Sequence, residues 1–121
     1  MSFGSLLKGA DKEGKEKHVP IIEIDKCDSD QPNMVRVIVG KEVEHPNTVE
    51  HHIEWIELYG AKKGGQLICL GKAELAPVYT KPNVRFYVPV EQFEAFHALE
   101  YCNIHGVWEN TLEVADAKTV A

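Results

Sequence analysis

Met34-Val35-Arg36-Val37-Ile38-Val39 sets Val35, Val37 and Val39 on one side of an extended chain and Arg36 and Ile38 on the other. A period of two in a stretch this rich in β-branched residues reads as a strand with one face buried. Before it, Asp28-Ser29-Asp30-Gln31-Pro32-Asn33 is a turn cluster, and Val19-Pro20-Ile21-Ile22-Glu23-Ile24 is a second short apolar run ended by Asp25-Lys26. After it, residues 40–47 form a loop in which Pro46 steers His45 away from helical geometry. Residues 49–59 fit two periods. Val49, Ile53 and Ile56 share a helix face, whereas Val49, His51, Ile53 and Trp55 share a strand face, and the β-branched and aromatic content favours the strand. Residues 60–65 read as a turn. Residues 66–70, 73–79 and 84–90 read as short strands parted by Gly71 and by Thr80-Lys81-Pro82-Asn83. Residues 91–100 are predicted as a short helix of one or two turns, and residues 106–114 as a closing strand with Trp108, Leu112 and Val114 on one face. About seven short strands at regular spacing predict an all-β fold, an antiparallel β-sandwich. Residues 1–17 are polar and rich in Lys, Glu and Gly; they are predicted as an N-terminal arm with one helical turn near Phe3–Leu7. Residues 18–121 are expected to form a single domain.

The chain has 121 residues, 44% apolar and 26% charged, which is ordinary composition for one globular domain. Its 13 basic and 19 acidic residues give a net charge of −6, which argues against a nucleic-acid-binding face. No apolar run approaches the roughly 20 residues of a membrane span. Lys8 and Gly9 interrupt Leu6-Leu7 too early for a signal peptide. The cysteines, Cys27, Cys69 and Cys102, are odd in number and form no CxxC, so no disulfide framework is expected and a reducing, cytoplasmic setting fits.

Six histidines in a chain this short are many, and five of them fall in three tight contexts. These contexts are Glu16-Lys17-His18, the stretch from His45 to His51-His52, and Cys102-Asn103-Ile104-His105. Imidazole and thiolate are the usual ligands of iron, copper and zinc. His97 stands alone and reads as a surface group. His52 would point away from His51 on a strand and reads as a non-ligand. Cys27 and Cys69 have no histidine nearby and read as small buried apolar residues. Four imidazoles and one thiolate exceed a closed tetrahedral zinc site. The only methionines, Met1 and Met34, are misplaced for blue copper, and neither HExxH nor HxH occurs. The same five donors on iron would leave one position open, which suits inner-sphere redox chemistry with a small ligand.

The segments Glu16-Lys17-His18-Val19-Pro20, residues 39–53 and Tyr101-Cys102-Asn103-Ile104-His105-Gly106-Val107-Trp108-Glu109 resemble superoxide reductase of the one-iron class, the neelaredoxins. The resemblance runs from Glu16 to about Val114 in order and spacing. It implies an immunoglobulin-like β-sandwich and one iron ion cycling between Fe2+ and Fe3+. His18, His45, His51 and His105 would be equatorial ligands, Cys102 the axial thiolate, and Glu16 a sixth ligand of the ferric state that swings away on reduction. Lys17 would be the cation beside the open position. Superoxide would be reduced to hydrogen peroxide, with electrons from a rubredoxin-like donor, and the assembly would be a homotetramer. The additional four-cysteine iron centre of the two-iron class is not expected, since no cysteine precedes Cys27. On physical grounds the backbone N–H groups of residues 103–106 are candidate donors to the sulfur, and a mobile arm would let Glu16 move at little cost. The competing reading is a β-sandwich metal protein that carries electrons without consuming a substrate.

Overall fold

Val35 and Val37 are both fully buried while Arg36 is not, as the alternation around Arg36 requires. The computed structural model describes residues 1–117 and 119–120; the domain boundary at 121 lies outside them. The strands are β1 (Ile21–Asp25), β2 (Met34–Ile38), β3 (Ile53–Lys62), β4 (Leu67–Glu74), β5 (Asn83–Tyr87), β6 (Phe93–Cys102), β7 (Gly106–Glu113) and β8 (Thr119–Val120). They form two four-stranded sheets, ordered β5-β2-β1-β8 and β4-β3-β6-β7. All pairings are antiparallel except that of β8, which lies parallel to β1. The chain changes sheet after β2, β4, β5 and β7, as in an immunoglobulin-like sandwich.

The core is the seam between the sheets. Ile22, Ile24, Val35 and Val37 from one sheet meet Ile56, Leu58, Phe96 and Ala98 from the other. Each large apolar side chain buried there contributes about 1.5–3 kcal/mol.

Three expectations are corrected. The helix predicted over residues 91–100 is a single 3-10 turn, Val90–Gln92, followed by β6. Its Glu, Ala and Leu content favours helix, but β6 pairs on both sides, with β3 and β7, and tertiary context overrides so weak a preference. Gly71 does not separate two strands. It lies within β4 next to a bulge of that strand, where Leu70 is the extra residue between the partners of Leu58 and Tyr59, and a Cβ on it would stand 3.1 Å from the Phe86 ring. The strand expected from Val49 begins at Ile53; Val49 and His51 belong to a turn ahead of it.

Three stretches meet at one end of the sandwich. Ile21, at the start of β1, pairs with Ile38 at the end of β2. Ile53, at the start of β3, pairs with Cys102, which in turn pairs with Gly106 across the β6–β7 turn. The residue before β1, the β2–β3 connection and the β6–β7 turn are thereby neighbours. The N-terminal arm carries one helical turn, α1 (Phe3–Leu6), and then lies along β7. There the Lys8 N–H donates to the Val107 carbonyl and the Glu109 N–H to the Lys8 carbonyl, at 3.1 and 2.8 Å.

Candidate metal centre

His18 sits at the foot of the arm, between exposed residues and the buried Val19 and Pro20. The Glu13 carboxylate accepts from the backbone N–H of His18 (3.0 Å) and of Val19 (2.6 Å). His45 follows a tight loop opened by Gly40, whose φ of +78° suits glycine and where a Cβ would lie 2.5 Å from the His45 nitrogen. The His45 Nδ1 is paired with the Pro46 carbonyl at 2.7 Å, which turns Nε2 inward. His51 closes a turn with Thr48: its N–H donates to the Thr48 hydroxyl at 3.0 Å and its carbonyl accepts from the Thr48 N–H at 2.9 Å. Asn103 joins this loop to the β6–β7 turn. Its side-chain oxygen accepts from the His52 N–H (2.8 Å), its amide donates to the Glu50 carbonyl (2.9 Å), and its backbone N–H donates to the His52 carbonyl (3.2 Å).

Four imidazoles form a closed quadrilateral. Successive centroids around His18, His45, His51 and His105 are 4.8, 4.8, 5.1 and 4.8 Å apart, with neighbouring planes steeply crossed. Oε1 of Glu16 stands among them. It lies 3.1 Å from His18 Nε2, 3.7 Å from His45 Nε2, 3.1 Å from His51 Nε2 and 3.2 Å from His105 Nδ1. The fully buried Cys102 lies within the same group: donor atoms of His18, His51, Cys102 and His105 all fall within 4.8 Å of one another. The His105 N–H donates to the Cys102 sulfur at 3.4 Å, and the backbone of Ile104 also reaches it.

This donor set fits a cation. Glu16 Oε1 and the Nε2 atoms of His18, His45 and His51 are buried without a hydrogen-bond partner. Each such atom costs about 1–3 kcal/mol if left unsatisfied, and convergent orphaned lone pairs are what a metal ion would satisfy. Burial, reinforced by neighbouring imidazoles, lowers the His18 pKa to about 4, and burial likewise lowers that of His45. Both rings are therefore neutral at pH 7 and offer lone pairs. Burial raises the Cys102 thiol, against the hydrogen bonds it accepts from His105 and Ile104. A metal would have to displace that proton.

All six sequence-nominated donors, Glu16, His18, His45, His51, Cys102 and His105, come together. Lys17 does not face the centre: its ammonium donates to the Gly14 carbonyl (3.3 Å) and lies 3.9 Å from Glu13. His52 is outside the group, held by the Thr48 carbonyl and near Glu54, and His97 pairs with Thr111. Of the candidate donors to sulfur, Asn103 is spent on stitching the loops instead. Cys69 is exposed and Cys27 half-buried, so neither is the small buried residue expected. Cys69 lies on the edge strand β4, and Cys27 lies in the turn after β1, beside Tyr87.

Sequence reasoning missed four supporting features. Glu13 resembles any solvated acid until its two backbone contacts are seen. Lys8 places its ammonium 2.8 Å from the His105 carbonyl and over the Trp108 ring. Trp108 donates to that same carbonyl at 3.2 Å and stacks on His18 with centroids 4.8 Å apart. Lys8, Lys12 and Lys15 line the cleft that leads to Glu16, His18 and His105.

The desulfoferrodoxin family matches residues 10–111. A superoxide reductase of Thermococcus kodakarensis is 45% identical over 117 residues, covering 92% of this chain and 99% of that protein. A neelaredoxin of Megalodesulfovibrio gigas is 38% identical over 114 residues, covering 83% and 88% of the two chains. The solved structure of a superoxide reductase (neelaredoxin) from Ignicoccus hospitalis superposes with a TM-score of 0.77 at 36% identity, covering 99% of this chain and all of that one.

Proposed function

The chain belongs to the desulfoferrodoxin family, and from that premise we propose that Glu16, His18, His45, His51, Cys102 and His105 hold the single iron of a superoxide reductase. The protein is an oxidoreductase that acts on superoxide. The observation that carries the ligand assignment is the quadrilateral of imidazoles with a buried thiol and a carboxylate oxygen in the same group. When bound, the iron cycles between Fe2+ and Fe3+ and supplies the electron that superoxide takes up.

The chain's own residues do the rest. Four neutral imidazoles and one thiolate leave a ferrous site with local positive charge, which attracts an anion despite the net −6 of the whole chain. Trp108 stacks on His18 and holds that ring in place, and the cleft lined by Lys8, Lys12 and Lys15 is the approach for the substrate. N–H donors from Ile104 and His105 to the Cys102 sulfur moderate its donation to the metal. Glu16, a hard oxygen donor, would hold the ion in its oxidised form and release it in its reduced form. Lys17 would then be the cation beside the site, ordering water for the two protons that peroxide requires.

The reductant is read as a rubredoxin-like protein, which the resemblance to superoxide reductases implies. We further read residues 18–121 as the iron-binding unit and 1–17 as its arm, the assembly as a homotetramer, and the compartment as cytoplasmic. The free state of Cys27, Cys69 and Cys102 supports that compartment. No helix among the described residues is long and apolar enough to cross a membrane.

The test is iron quantification on anaerobically prepared protein, then rapid mixing with superoxide. One iron per chain, and one peroxide formed per superoxide with one reducing equivalent consumed, are expected. One peroxide per two superoxides without a donor would identify a dismutase instead, and an iron that changes oxidation state without consuming superoxide would identify an electron carrier.

A further inference from the structure

We propose that Glu13 is a positioning residue of the metal centre: its carboxylate clasps the base of the short loop from Gly14 to Lys17 and so fixes the backbone of His18 beneath Glu16. The proposal rests on the iron reading above, which gives Glu16 two positions.

The arm is tied at both ends of the relevant stretch. Upstream, the Lys8 N–H and carbonyl are bonded to β7 at 3.1 and 2.8 Å, and its ammonium to the His105 carbonyl in the turn before β7 at 2.8 Å. Residues 9–13 then form a tight turn, with Lys12 N–H on the Gly9 carbonyl (3.0 Å) and Glu13 N–H on the Ala10 carbonyl (3.2 Å). Downstream, Glu13 Oε2 receives the N–H groups of His18 and Val19 at 3.0 and 2.6 Å. Hydrogen bonds to an ionised acceptor are stronger than neutral ones. Here they fix the backbone of a ligand and of the buried residue after it.

Between these ties, residues 14–17 are different. Among the described residues, none of the four makes a backbone–backbone hydrogen bond. A Cβ placed on Gly14 would meet nothing within 4 Å, so the loop has open space beside it. The other Glu13 oxygen, Oε1, faces the Lys17 ammonium at 3.9 Å, and that ammonium also bonds the Gly14 carbonyl. One carboxylate therefore closes the base of the loop, fixes His18, and holds Lys17 back while Glu16 points at the imidazoles. Local opening follows the least-bonded segment, so the exchange of Glu16 in and out involves the loop above the clasp.

Two measurements test this, one of them without metal. In metal-free protein, hydrogen exchange should be at least about ten-fold faster at residues 14–17 than at Lys8, Lys12, Glu13, His18 and Val19. Glu13→Ala should raise exchange at His18 and Val19 about ten-fold and move the ferric absorption spectrum of the iron-loaded protein toward that of Glu16→Ala. Glu13→Gln, whose side-chain oxygen still accepts, should restore both. Equal exchange across residues 8–17 of the parent would overturn the proposal, and so would Glu13→Ala with parental exchange and a parental ferric spectrum. A ferric spectrum indifferent to Glu16→Ala would overturn the reading of Glu16 as a ligand; the exchange data, taken without metal, bear on the clasp alone.

Discussion

Glu100 lies wholly inside the sandwich, one strand period from Cys102, and neither of its carboxyl oxygens has a hydrogen-bond partner. Desolvation, with Glu13 adding, pushes its pKa up to about 9, so it is protonated at neutral pH in the fold and ionised in the unfolded chain. Stability from this group is complete below its unfolded value of 4.5 and is lost as pH rises toward 9. His18 and His45 act in the opposite sense. Their folded values lie below 6.5, so their contribution is complete above 6.5 and is lost as pH falls, for His18 through about 4. Of these three groups, only Glu100 still changes its contribution above the ordinary imidazole value of 6.5. Above it, Glu100 alone costs on the order of 1 kcal/mol per pH unit. Denaturant titrations of metal-free protein at pH 5, 6.5 and 9 check this, and Glu100→Gln should flatten the alkaline limb; an unchanged limb would contradict it. Cys102 gives a second prediction. His18 and His45 are already neutral, whereas the Cys102 thiol is held up by burial. Anaerobic binding of ferrous ion at pH 7 should therefore release about one more proton from the parent than from Cys102→Ser. Cys102→Ser should also abolish superoxide reduction; full activity in that variant would rule out a role for the thiolate.

At the scale of elements, the centre depends on two loops being sewn together by one side chain. Asn103 bonds both the His52 N–H and the Glu50 carbonyl, and so sets the His51 turn against the Cys102–His105 turn. Asn103→Ala removes both bonds and leaves a part-buried N–H unsatisfied. The expected loss is about 1–3 kcal/mol of stability together with weaker iron retention. Denaturation of metal-free protein measures the first and chelator competition the second; a loss of stability without faster iron release would show that the stitch serves the fold alone. The strands were legible in the sequence because their signal is local: Val35 and Val37 alternate with Arg36 whatever surrounds them. The ligands were legible because imidazole and thiolate advertise their chemistry by type. What escaped were properties of pairing. Residues 91–100 read as helix because nothing local says that Phe96, Ala98 and Glu100 will face an opposing sheet. His52 was set apart from the donors by strand parity, yet it precedes the strand. The Thr48 carbonyl is what turns its ring away. Glu13 and Lys8 act on backbone atoms of distant residues, and such contacts leave no pattern in a chain.

For the molecule as a whole, sign and placement of charge disagree, and the disagreement can be measured. The chain carries −6 and should repel an anion at long range. The cleft to the candidate centre is nevertheless lined by Lys8, Lys12 and Lys15. With a screening length of about 10 Å at 0.1 M salt, charges at the mouth dominate the final approach and distant ones are damped. Removing the three cleft lysines as Lys→Gln takes the net charge from −6 to −9. Removing Lys26, Lys62 and Lys63 gives the same −9, but Lys62 ends β3 opposite the site, about 30 Å along the strand from Ile53. If steering is local, the cleft variant should lower the second-order rate with superoxide about ten-fold at low salt and flatten its salt dependence, while the matched distal variant changes both little. Pulse-radiolysis rates at several ionic strengths decide the matter. Equal losses in the two variants would mean that net charge governs the encounter, and the lysines of the arm would then have no special part in it.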